Sequence, residues 1–374
     1  MQYRILENRI WLFAYCALII KIILYLYIKL FVTELSIVGG GNDADYYHRY
    51  ALGYYDLIVN YWPVILRFLY DNGLYNRQII SLILFLTSFT LLPYLYYKMI
   101  KIKGQEIKLV KALSFFLIVF YPTLFYFTLD VYRDIVMFIV LLFSLMIYKK
   151  ILDIDFYENV ITRTKINYVF YFIIFLSLAY FLYLMRPYLG FALGITPFVY
   201  WILLKTKKYV KTWFIAYLLA LILIKINGGF DDILLYREKF FEYGQGGSTL
   251  GIRLYDTNII MFLFYYMYSV LAQLFGLFLV NVNTILAFIL EGIPFIFAVI
   301  YLFKNKRYIN NFVGFLLVFF VIYSTIWLLG NDNIGTAVRL RTPSYLAIFA
   351  SVFIVYQIKV LVSYEMIKEK MKKI

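Results

Sequence analysis

The sequence predicts an all-α protein, a polytopic bundle of transmembrane helices, and three observations support this prediction. Of its 374 residues, 64% are apolar and only 15% are charged, and the mean hydropathy is +0.81. Apolar stretches of about 17 to 25 residues, long enough to cross roughly 30 Å of hydrocarbon, recur along the chain. The connections between these stretches alternate between lysine-rich and arginine-rich. This composition excludes a soluble globular domain, so we expect one integral membrane domain over residues 1–374.

About ten segments have the length and composition of a membrane span. They are residues 10–32, 78–97, 112–128, 132–148, 167–185, 188–204, 212–226, 284–303, 311–329 and 343–362. The first segment is too long for a cleavable signal peptide, contains Lys21 and Lys29, and has no small-residue cleavage site after it. We therefore expect it to remain in the protein as a helix.

The charged residues between the spans are segregated by type. One set of connections holds most of the lysines, whereas the alternate connections hold arginines interleaved with aspartates. The lysines of the first set include Lys98, Lys101, Lys108, Lys111, Lys149, Lys150, Lys165, Lys205, Lys211, Lys304 and Lys306. By the positive-inside rule the lysine-rich connections are cytoplasmic. The sequence therefore predicts cytoplasmic N- and C-termini, and arginine-aspartate connections that face outward.

Two further apolar stretches do not fit this alternation. Residues 56–72 are short and are interrupted by a proline and an arginine. We expect them to form an amphipathic helix on the outer interface, within an outer loop that covers residues 33–77. Residues 257–280 are long enough to cross, but a crossing there would place the basic residues after 303 outside. They are interpreted as a re-entrant or interfacial helix within an outer loop at 227–283.

The composition also bounds the possible ligands. The net charge of +15 is spread over many short connections and forms no continuous stripe, so we expect no nucleic-acid binding. Cys16 is the only cysteine and His48 the only histidine, which excludes a disulfide framework and a histidine-ligated zinc centre. We assign no cofactor and no metal site, although the carboxylates of Asp43 and Asp45 are oxygen ligands that could hold a divalent ion.

The first outer loop contains the densest group of reactive side chains, in the sequence VGGGNDADYYHR at 38–49. Its glycines permit a sharp turn just past the membrane, and two carboxylates follow. A general base must lie within hydrogen-bond reach of the proton it removes, and Asp43, Asp45 and His48 are the candidate catalytic residues. The alternative interpretation is a simple turn with solvated polar side chains.

A second group lies in the very short connection between the segments at 112–128 and 132–148. Here Asp130, Arg133 and Asp134 are close together in sequence and are expected to lie at or below the outer membrane surface. The two aspartates are interpreted as structural ion-pair partners of Arg133, although Arg133 is also a candidate ligand of an anionic substrate.

Three other connections contribute candidate substrate-binding residues. Arg186 and Tyr188 flank a proline in a tight outer turn, and no partner for the arginine is evident from the local sequence. This favours an anionic ligand, although Asp134 could pair with Arg186 in the folded protein. Arg237 and Arg253 lie in a segment that is first amphipathic and then glycine-rich. These two arginines are interpreted either as ligands that clamp a substrate or as residues that keep the loop soluble.

The last outer connection places Arg339 and Arg341 just before Pro343, which is predicted to begin the final span. Positive side chains are unfavourable at a helix N-terminus, so their presence indicates a site arranged for an incoming anion. The planar guanidinium group binds two phosphate oxygens at once, which lysine cannot do. An anionic lipid-linked molecule, such as a polyprenyl-linked sugar diphosphate, fits these features.

Four short sequences together resemble the Wzy-type polymerases of O-antigen and capsular polysaccharide and their EpsG-like relatives, which are themselves similar to C-type glycosyltransferases. They are GGGNDADYYHRYALG, YPTLFYFTLDVYRD, MRPYLGF and GTAVRLRTPSY. The resemblance implies transfer of a glycan from an undecaprenyl-diphosphate carrier to a sugar hydroxyl of another lipid-linked repeat unit, on the outer face of the bacterial cytoplasmic membrane. A chain-length regulator and a flippase are the partners that it suggests.

The resemblance also implies roles for individual residues. Asp43 or Asp45 would act as the base or orient the acceptor. The departing diphosphate would be neutralised by arginines, a preorganised charge at the place where negative charge develops. These arginines are Arg133, Arg186, Arg339 and Arg341.

Two other functions remain open from the sequence. A glycosyltransferase that moves a single sugar from a polyprenyl-phosphate donor would use the same acids and arginines. A flippase for lipid-linked sugars would require charged residues near the bilayer midplane and broken helices in paired repeats. Only Lys21 and Lys225 were identified well inside predicted spans, and no internal repeat is visible.

Overall fold

The computed structural model describes residues 2–31, 43–102, 107–155, 163–206, 210–243 and 249–372. Within these ranges the chain is helical and contains no β-strand, which confirms the all-α prediction. The first helices are α1 (Gln2–Phe31), α2 (Asp43–Ala51), α3 (Tyr61–Asp71), α4 (Arg77–Phe89), α5 (Leu91–Ile100), α6 (Lys108–Phe120), α7 (Pro122–Tyr126), α8 (Asp134–Asp155) and α9 (Arg163–Met185). The remaining helices are α10 (Pro187–Thr206), α11 (Val210–Ile226), α12 (Asp231–Tyr243), α13 (Ile259–Ser269), α14 (Val282–Ala287), α15 (Ile293–Lys304), α16 (Asn311–Gly330) and α17 (Ile334–Lys372).

Among the described residues, eight helices are long and apolar enough to cross a membrane. They correspond to eight of the ten predicted segments. They are Arg4–Phe31, Arg77–Ile100, Asp134–Asp153, Tyr168–Met185, Pro187–Leu204, Val282–Lys304, Asn311–Gly330 and Ile334–Glu365. The protein is therefore a membrane protein by the length and composition of its helices.

The other two predicted spans differ from expectation. The segment at 112–128 is divided into α6 and the five-residue α7, because Pro122 cannot continue the hydrogen bonding of α6. The segment at 212–226 forms most of α11, which is followed after a 76° bend by α12. Only the bent pair taken together is long enough to count as a ninth span.

Residues 56–72 and 257–280, the two apolar stretches that do not fit the alternation of lysine-rich and arginine-rich connections, contain short helices. α3 begins after Asn60, whose side chain accepts a hydrogen bond from the backbone N–H of Trp62. The stretch at 257–280 forms the 16-residue apolar helix Ile259–Leu274, which includes the π-helical turn Val270–Leu274. At 16 residues this helix is shorter than each of the eight candidate spans.

The two ends of the bundle carry different charges. At the end that we name the lysine end, Lys149 donates hydrogen bonds to the carbonyl oxygens of Met99 and Lys101, and Lys359 donates to Asn305. Asp134 begins α8 at the opposite end, which we name the arginine end. The segregation of lysines from arginine-aspartate groups in the sequence thus corresponds to opposite ends of the same helices.

The most buried spans are α4–α5, α8, α16 and α17, which form the centre of the bundle. The first span is mostly exposed and packs along α6. Because the central helices α8 and α17 also carry charged residues at the arginine end, the candidate site lies at the end of the protein core.

Candidate functional site

The first turn of α2 positions two carboxylates at the arginine end. Asp43 and Asp45 are the first and third residues of this helix, and their side chains are 44% and 45% exposed. Asp43 forms an ion pair with Arg339, and Asp45 accepts a hydrogen bond from Arg77 at 2.7 Å. The two acids therefore contact different arginines. The preceding glycine sequence at 39–42 lies outside the described residues.

Asp134 is the centre of a buried ionic cluster. It is the first residue of α8, and its side chain is fully buried. Its two carboxylate oxygens accept hydrogen bonds from Arg339 Nε at 2.8 and 2.9 Å, and Arg186 Nη2 lies 3.3 Å from one of them. Arg339 reaches onward to Asp43 through Nη1. The arginine thus bridges a buried carboxylate and a half-exposed one.

Arg133 completes this cluster of charges, which we name the Asp134 cluster (Asp43, Arg133, Asp134, Arg186 and Arg339). Arg133 Nη1 donates a hydrogen bond to the carbonyl oxygen of Met185 at 2.5 Å. Burial lowers the pKa of the Arg133 guanidinium; Tyr47 opposes this shift, whereas the positive charges of Arg186 and Arg339 add to it.

The Asp134 cluster has an excess of positive charge and of hydrogen-bond donors. Three guanidinium groups face two carboxylates, which leaves one positive charge without a carboxylate partner among the described residues. The buried Nε of Arg133 and the buried Nε and Nη1 of Arg186 form no hydrogen bond of good geometry in the described part of the chain, where the buried Tyr323 hydroxyl is the group that approaches Arg186. Because an unsatisfied buried charged donor is costly, these groups indicate a site for an anion.

Aromatic side chains enclose the cluster. The rings of Phe127 and Tyr132 lie 5.2 and 5.8 Å from Arg339 Cζ, within the range of cation–π interactions. Tyr236, from α12, lies within electrostatic range of the arginines and of Tyr188, which belongs to the first turn of α10. The predicted residue Tyr188 is therefore close to the Asp134 cluster.

Arg77 bridges two carboxylates in the same way as Arg339 bridges Asp134 and Asp43. Arg77 donates to both carboxylate oxygens of Asp130, at 2.8 Å from Nε and 2.6 Å from Nη2, and Nη2 also donates to Asp45. Asp130 is nearly buried, whereas Asp45 is half-exposed. Each acid of α2 is thus held by an arginine that is itself held by a more buried aspartate.

The predicted triad of Asp130, Arg133 and Asp134 is not formed. Each aspartate is ion-paired, but to an arginine from another part of the chain, and Arg133 bonds to a backbone carbonyl. The prediction was wrong because α8 begins only at Asp134, so residues 130–133 do not share a helical turn with it.

His48 lies beside the bridge that Arg77 forms. Its Nδ1 is 2.8 Å from the hydroxyl of Tyr75, and the two rings are stacked. Burial lowers the pKa of His48, and the positive charge of Arg77 contributes to the same shift. The neutral form of the imidazole is therefore favoured, but neither Asp43 nor Asp45 is its hydrogen-bond partner.

Arg339 and Arg341 do not form a joint site. α17 begins at Ile334, and the side chain of Asn333 caps it by accepting a hydrogen bond from Thr336 N at 3.0 Å. The prediction of a helix start at Pro343 was therefore wrong, and the argument from the helix N-terminus does not apply to these arginines. Residues two apart on a helix point about 200° from each other. Arg341 accordingly contacts Glu291, at 3.0 Å, rather than Asp134.

Arg237 and Arg253 also lie apart from the Asp134 cluster. Arg237 donates to Asp332 at 2.6 Å, to the carbonyl oxygens of Leu328 and Ile252, and to a serine hydroxyl, so its donors are occupied by the protein. Arg253 is exposed and lines a surface depression with Asp256 and Tyr265. Arg237 therefore stabilises the packing of α12 rather than offering donors to a ligand.

Sequence reasoning missed Arg77 and Glu291. Arg77 belongs to the arginine-rich connections, and its place at the start of a span resembles that of the assigned arginines. Glu291 was overlooked, although an acid within the apolar segment 284–303 is itself a signal of function. No group of three or more metal-ligating side chains occurs in the part of the chain that the structure describes.

Comparison of this chain with family models, with curated proteins and with solved structures finds no match.

Proposed function

We propose that this protein is a membrane-embedded glycosyltransferase that polymerises lipid-linked oligosaccharide repeat units of an O-antigen or capsule. It transfers glycan from undecaprenyl diphosphate to a sugar hydroxyl at the arginine end of the bundle. This end faces outward from the bacterial cytoplasmic membrane. The proposal includes a ten-span topology with both termini in the cytoplasm, in which α6–α7 and α11 are short crossings. A chain-length regulator and a flippase are its proposed partners.

One observation carries this proposal: the unpaired buried donors of Arg133 and Arg186 lie in the same cluster as the half-exposed carboxylate of Asp43. An anion-binding group and an accessible base in one place are what glycosyl transfer from a diphosphate requires. The four sequence motifs that resemble Wzy-type polymerases supply the choice of lipid carrier and of acceptor.

The arrangement divides the chemical roles among the residues. Asp43 takes the proton of the acceptor hydroxyl as its oxygen attacks the anomeric carbon of the donor sugar. The bond from that carbon to the diphosphate oxygen breaks, and the leaving group keeps the electron pair. Arg133, Arg186 and Arg339 neutralise the charge that develops there, and Arg339 also orients Asp43. Asp45 is the second candidate for the base.

The test is analysis of surface glycan length in the native host. Deletion of the gene should leave a single repeat unit on the acceptor and remove long chains. Asp43→Asn and Arg186→Ala should reproduce this loss. Asp56→Asn is the matched control, since Asp56 pairs with Arg67 on the exposed surface and touches none of the proposed machinery.

Other outcomes would identify the alternatives. Normal chains that lack one branch sugar would indicate a single-sugar transferase that uses a polyprenyl-phosphate donor. Complete absence of repeat units on the surface would indicate the flippase. Long chains at normal length in the deletion strain would contradict all three functions.

A further inference from the structure

Glu291 is a carboxylate inside an apolar span. It lies in the π-helical turn Phe288–Gly292, between α14 and α15, and its side chain is 1% exposed. A charged side chain within a membrane span is costly, and π-helical turns occur frequently at functional sites. The contacts of Glu291 therefore require an explanation that the proposed reaction does not supply.

Glu291 joins three separate elements. Its Oε2 accepts a hydrogen bond from Arg341 Nη2 of α17 at 3.0 Å. Its Oε1 accepts from the backbone N–H of Thr123 at 3.2 Å and from the Thr123 hydroxyl, at the start of α7. One carboxylate thus ties the interrupted span α14–α15 to α17 and to the break between α6 and α7.

Both partners of Glu291, Arg341 and Thr123, are connected to Arg339 through the helices that carry them. Arg341 is two residues from Arg339 on α17, so any rotation of α17 that moves one arginine moves the other. Thr123 fixes the start of α7, and this helix ends beside Phe127, whose ring packs on the guanidinium of Arg339. Glu291 is therefore connected to the Asp134 cluster by two independent routes.

The space around Arg341 is shaped to hold it in one place. Gly276 has a φ of +77°, and a Cβ at this position would lie 2.9 Å from Arg341 Nη1. The ring of Tyr345 lies 5.2 Å from the guanidinium carbon, and its hydroxyl donates to the carbonyl oxygen of Leu274. Arg341 is thus enclosed by residues on both sides and cannot turn toward Asp134 without repacking them.

We infer that Glu291 is a positioning residue for the Asp134 cluster. By holding Arg341 and the start of α7, it fixes the rotation of α17 and the aromatic wall beside Arg339. The inference rests on the proposed function, because the diphosphate site is what the correct placement of Arg339 serves.

The test removes both charges of the pair, because removal of one would leave an unpaired buried charge and could unfold the protein. Glu291→Leu/Arg341→Leu is made alone and together with Arg339→Lys. The matched control is Ser324→Ala/Ser344→Ala, which removes a buried 2.8 Å hydrogen bond between α16 and α17 without touching α7. The affinity for inorganic diphosphate and the thermal unfolding midpoint without ligand are measured on the purified full-length protein in nanodiscs.

If Glu291 acts through Arg339, the double substitution should weaken diphosphate binding about tenfold in the native background and cause no further loss beside Arg339→Lys, a non-additivity typical of coupled residues. The changes in unfolding midpoint caused by the Glu291/Arg341 substitutions and by Arg339→Lys should be non-additive in the same way. The effects of the control Ser324→Ala/Ser344→Ala should be additive with those of Arg339→Lys in both measurements. Additive effects of the Glu291 pair in both measurements would assign it a purely structural role and overturn the inference.

Two other results are also decisive. If the native protein binds no diphosphate, the proposed function fails. The additivity of the changes in the ligand-free unfolding midpoint then decides alone whether Glu291 positions Arg339. If Glu291→Leu/Arg341→Leu does not fold, Glu291→Gln, which keeps an acceptor for Thr123, takes its place in the same cycles.

Discussion

Asp43 and Asp45 are only two residues apart, yet each belongs to a different ionic network. In both networks a buried or nearly buried aspartate binds an arginine, and the arginine binds a half-exposed aspartate. The buried acid orients the guanidinium group through two hydrogen bonds, which leaves the outer carboxylate in a defined place. The geometry of the accessible acids therefore depends on residues that do not reach the surface.

This dependence predicts a large effect of Asp134→Ala. The substitution leaves Arg186 and Arg339 buried with less compensating charge, so the free energy of unfolding should fall by about 3–5 kcal/mol. The exposed pair of Asp56 and Arg67 provides the comparison, and Asp56→Ala should lower the free energy of unfolding far less, because exposed ion pairs contribute little to stability. Denaturant unfolding in detergent measures both. Equal losses for the two variants would contradict the buried network.

The lowered pKa of His48 predicts that the stability of the protein depends on pH. Its pKa is lowered in the folded protein, so near pH 6 the unfolded chain binds more protons at this position than the folded one. Stability should therefore decrease as the pH falls through about 6.5, the ordinary value for histidine. His48→Asn, which keeps a polar group near the position of Nδ1, should remove this part of the decrease. The measurement is the unfolding midpoint of both proteins between pH 7.5 and 5.5.

The residue types at the site were predictable, and so was the pairing of Arg186 with Asp134, but the other partners were not. The sequence identifies Asp43, Asp134 and Arg339 because charges beside apolar spans are costly. It does not show that Arg339 binds an aspartate 205 residues away, since this contact depends on how α17 packs on α8. Local spacing instead suggested that Asp134 pairs with its neighbour Arg133, which is wrong.

At the scale of the helices, α17 shows that a proline does not always mark the start of a helix. The sequence predicts a helix start at Pro343, because proline is common in a first helical turn. The helix instead begins nine residues earlier at Ile334 and continues through the proline. Within this longer helix Arg339 and Arg341 lie on different faces, so one binds Asp134 and the other Glu291.

The turn that follows the short helix Ile259–Leu274 predicts the effect of Gly276→Ala. A Cβ there would lie 2.9 Å from Arg341 Nη1, and the positive φ is itself unfavourable for alanine by about 1–2 kcal/mol. Gly73→Ala is the matched control, since Gly73 has a φ of +70° but no atom within 4 Å of the added Cβ. Gly276→Ala should therefore lower the unfolding midpoint more than Gly73→Ala. Equal shifts would mean that the space around Arg341 is not restricted.

For the whole molecule, the sequence predicted the class of fold well and the number of spans less well. Hydropathy identifies long apolar helices directly, because every backbone polar group inside a bilayer must be paired within the protein. It does not show where an apolar segment is interrupted, as at Pro122 or after Ile226. Such interruptions depend on partners such as Glu291, which satisfies the start of α7 from another helix.

The separation of charges between the two ends leads to a prediction about orientation. If the lysine end is cytoplasmic, as the positive-inside rule requires, the arginine end is accessible from outside the cell. Cys16, the only native cysteine, is replaced by serine, and a single cysteine is introduced at the exposed position Asp256 of the arginine end or Lys306 of the lysine end. A membrane-impermeant maleimide should label Asp256→Cys in intact cells, and Lys306→Cys only after the cells are permeabilised. The reverse pattern would place the Asp134 cluster on the cytoplasmic side, where a polymerase of exported repeat units could not use it.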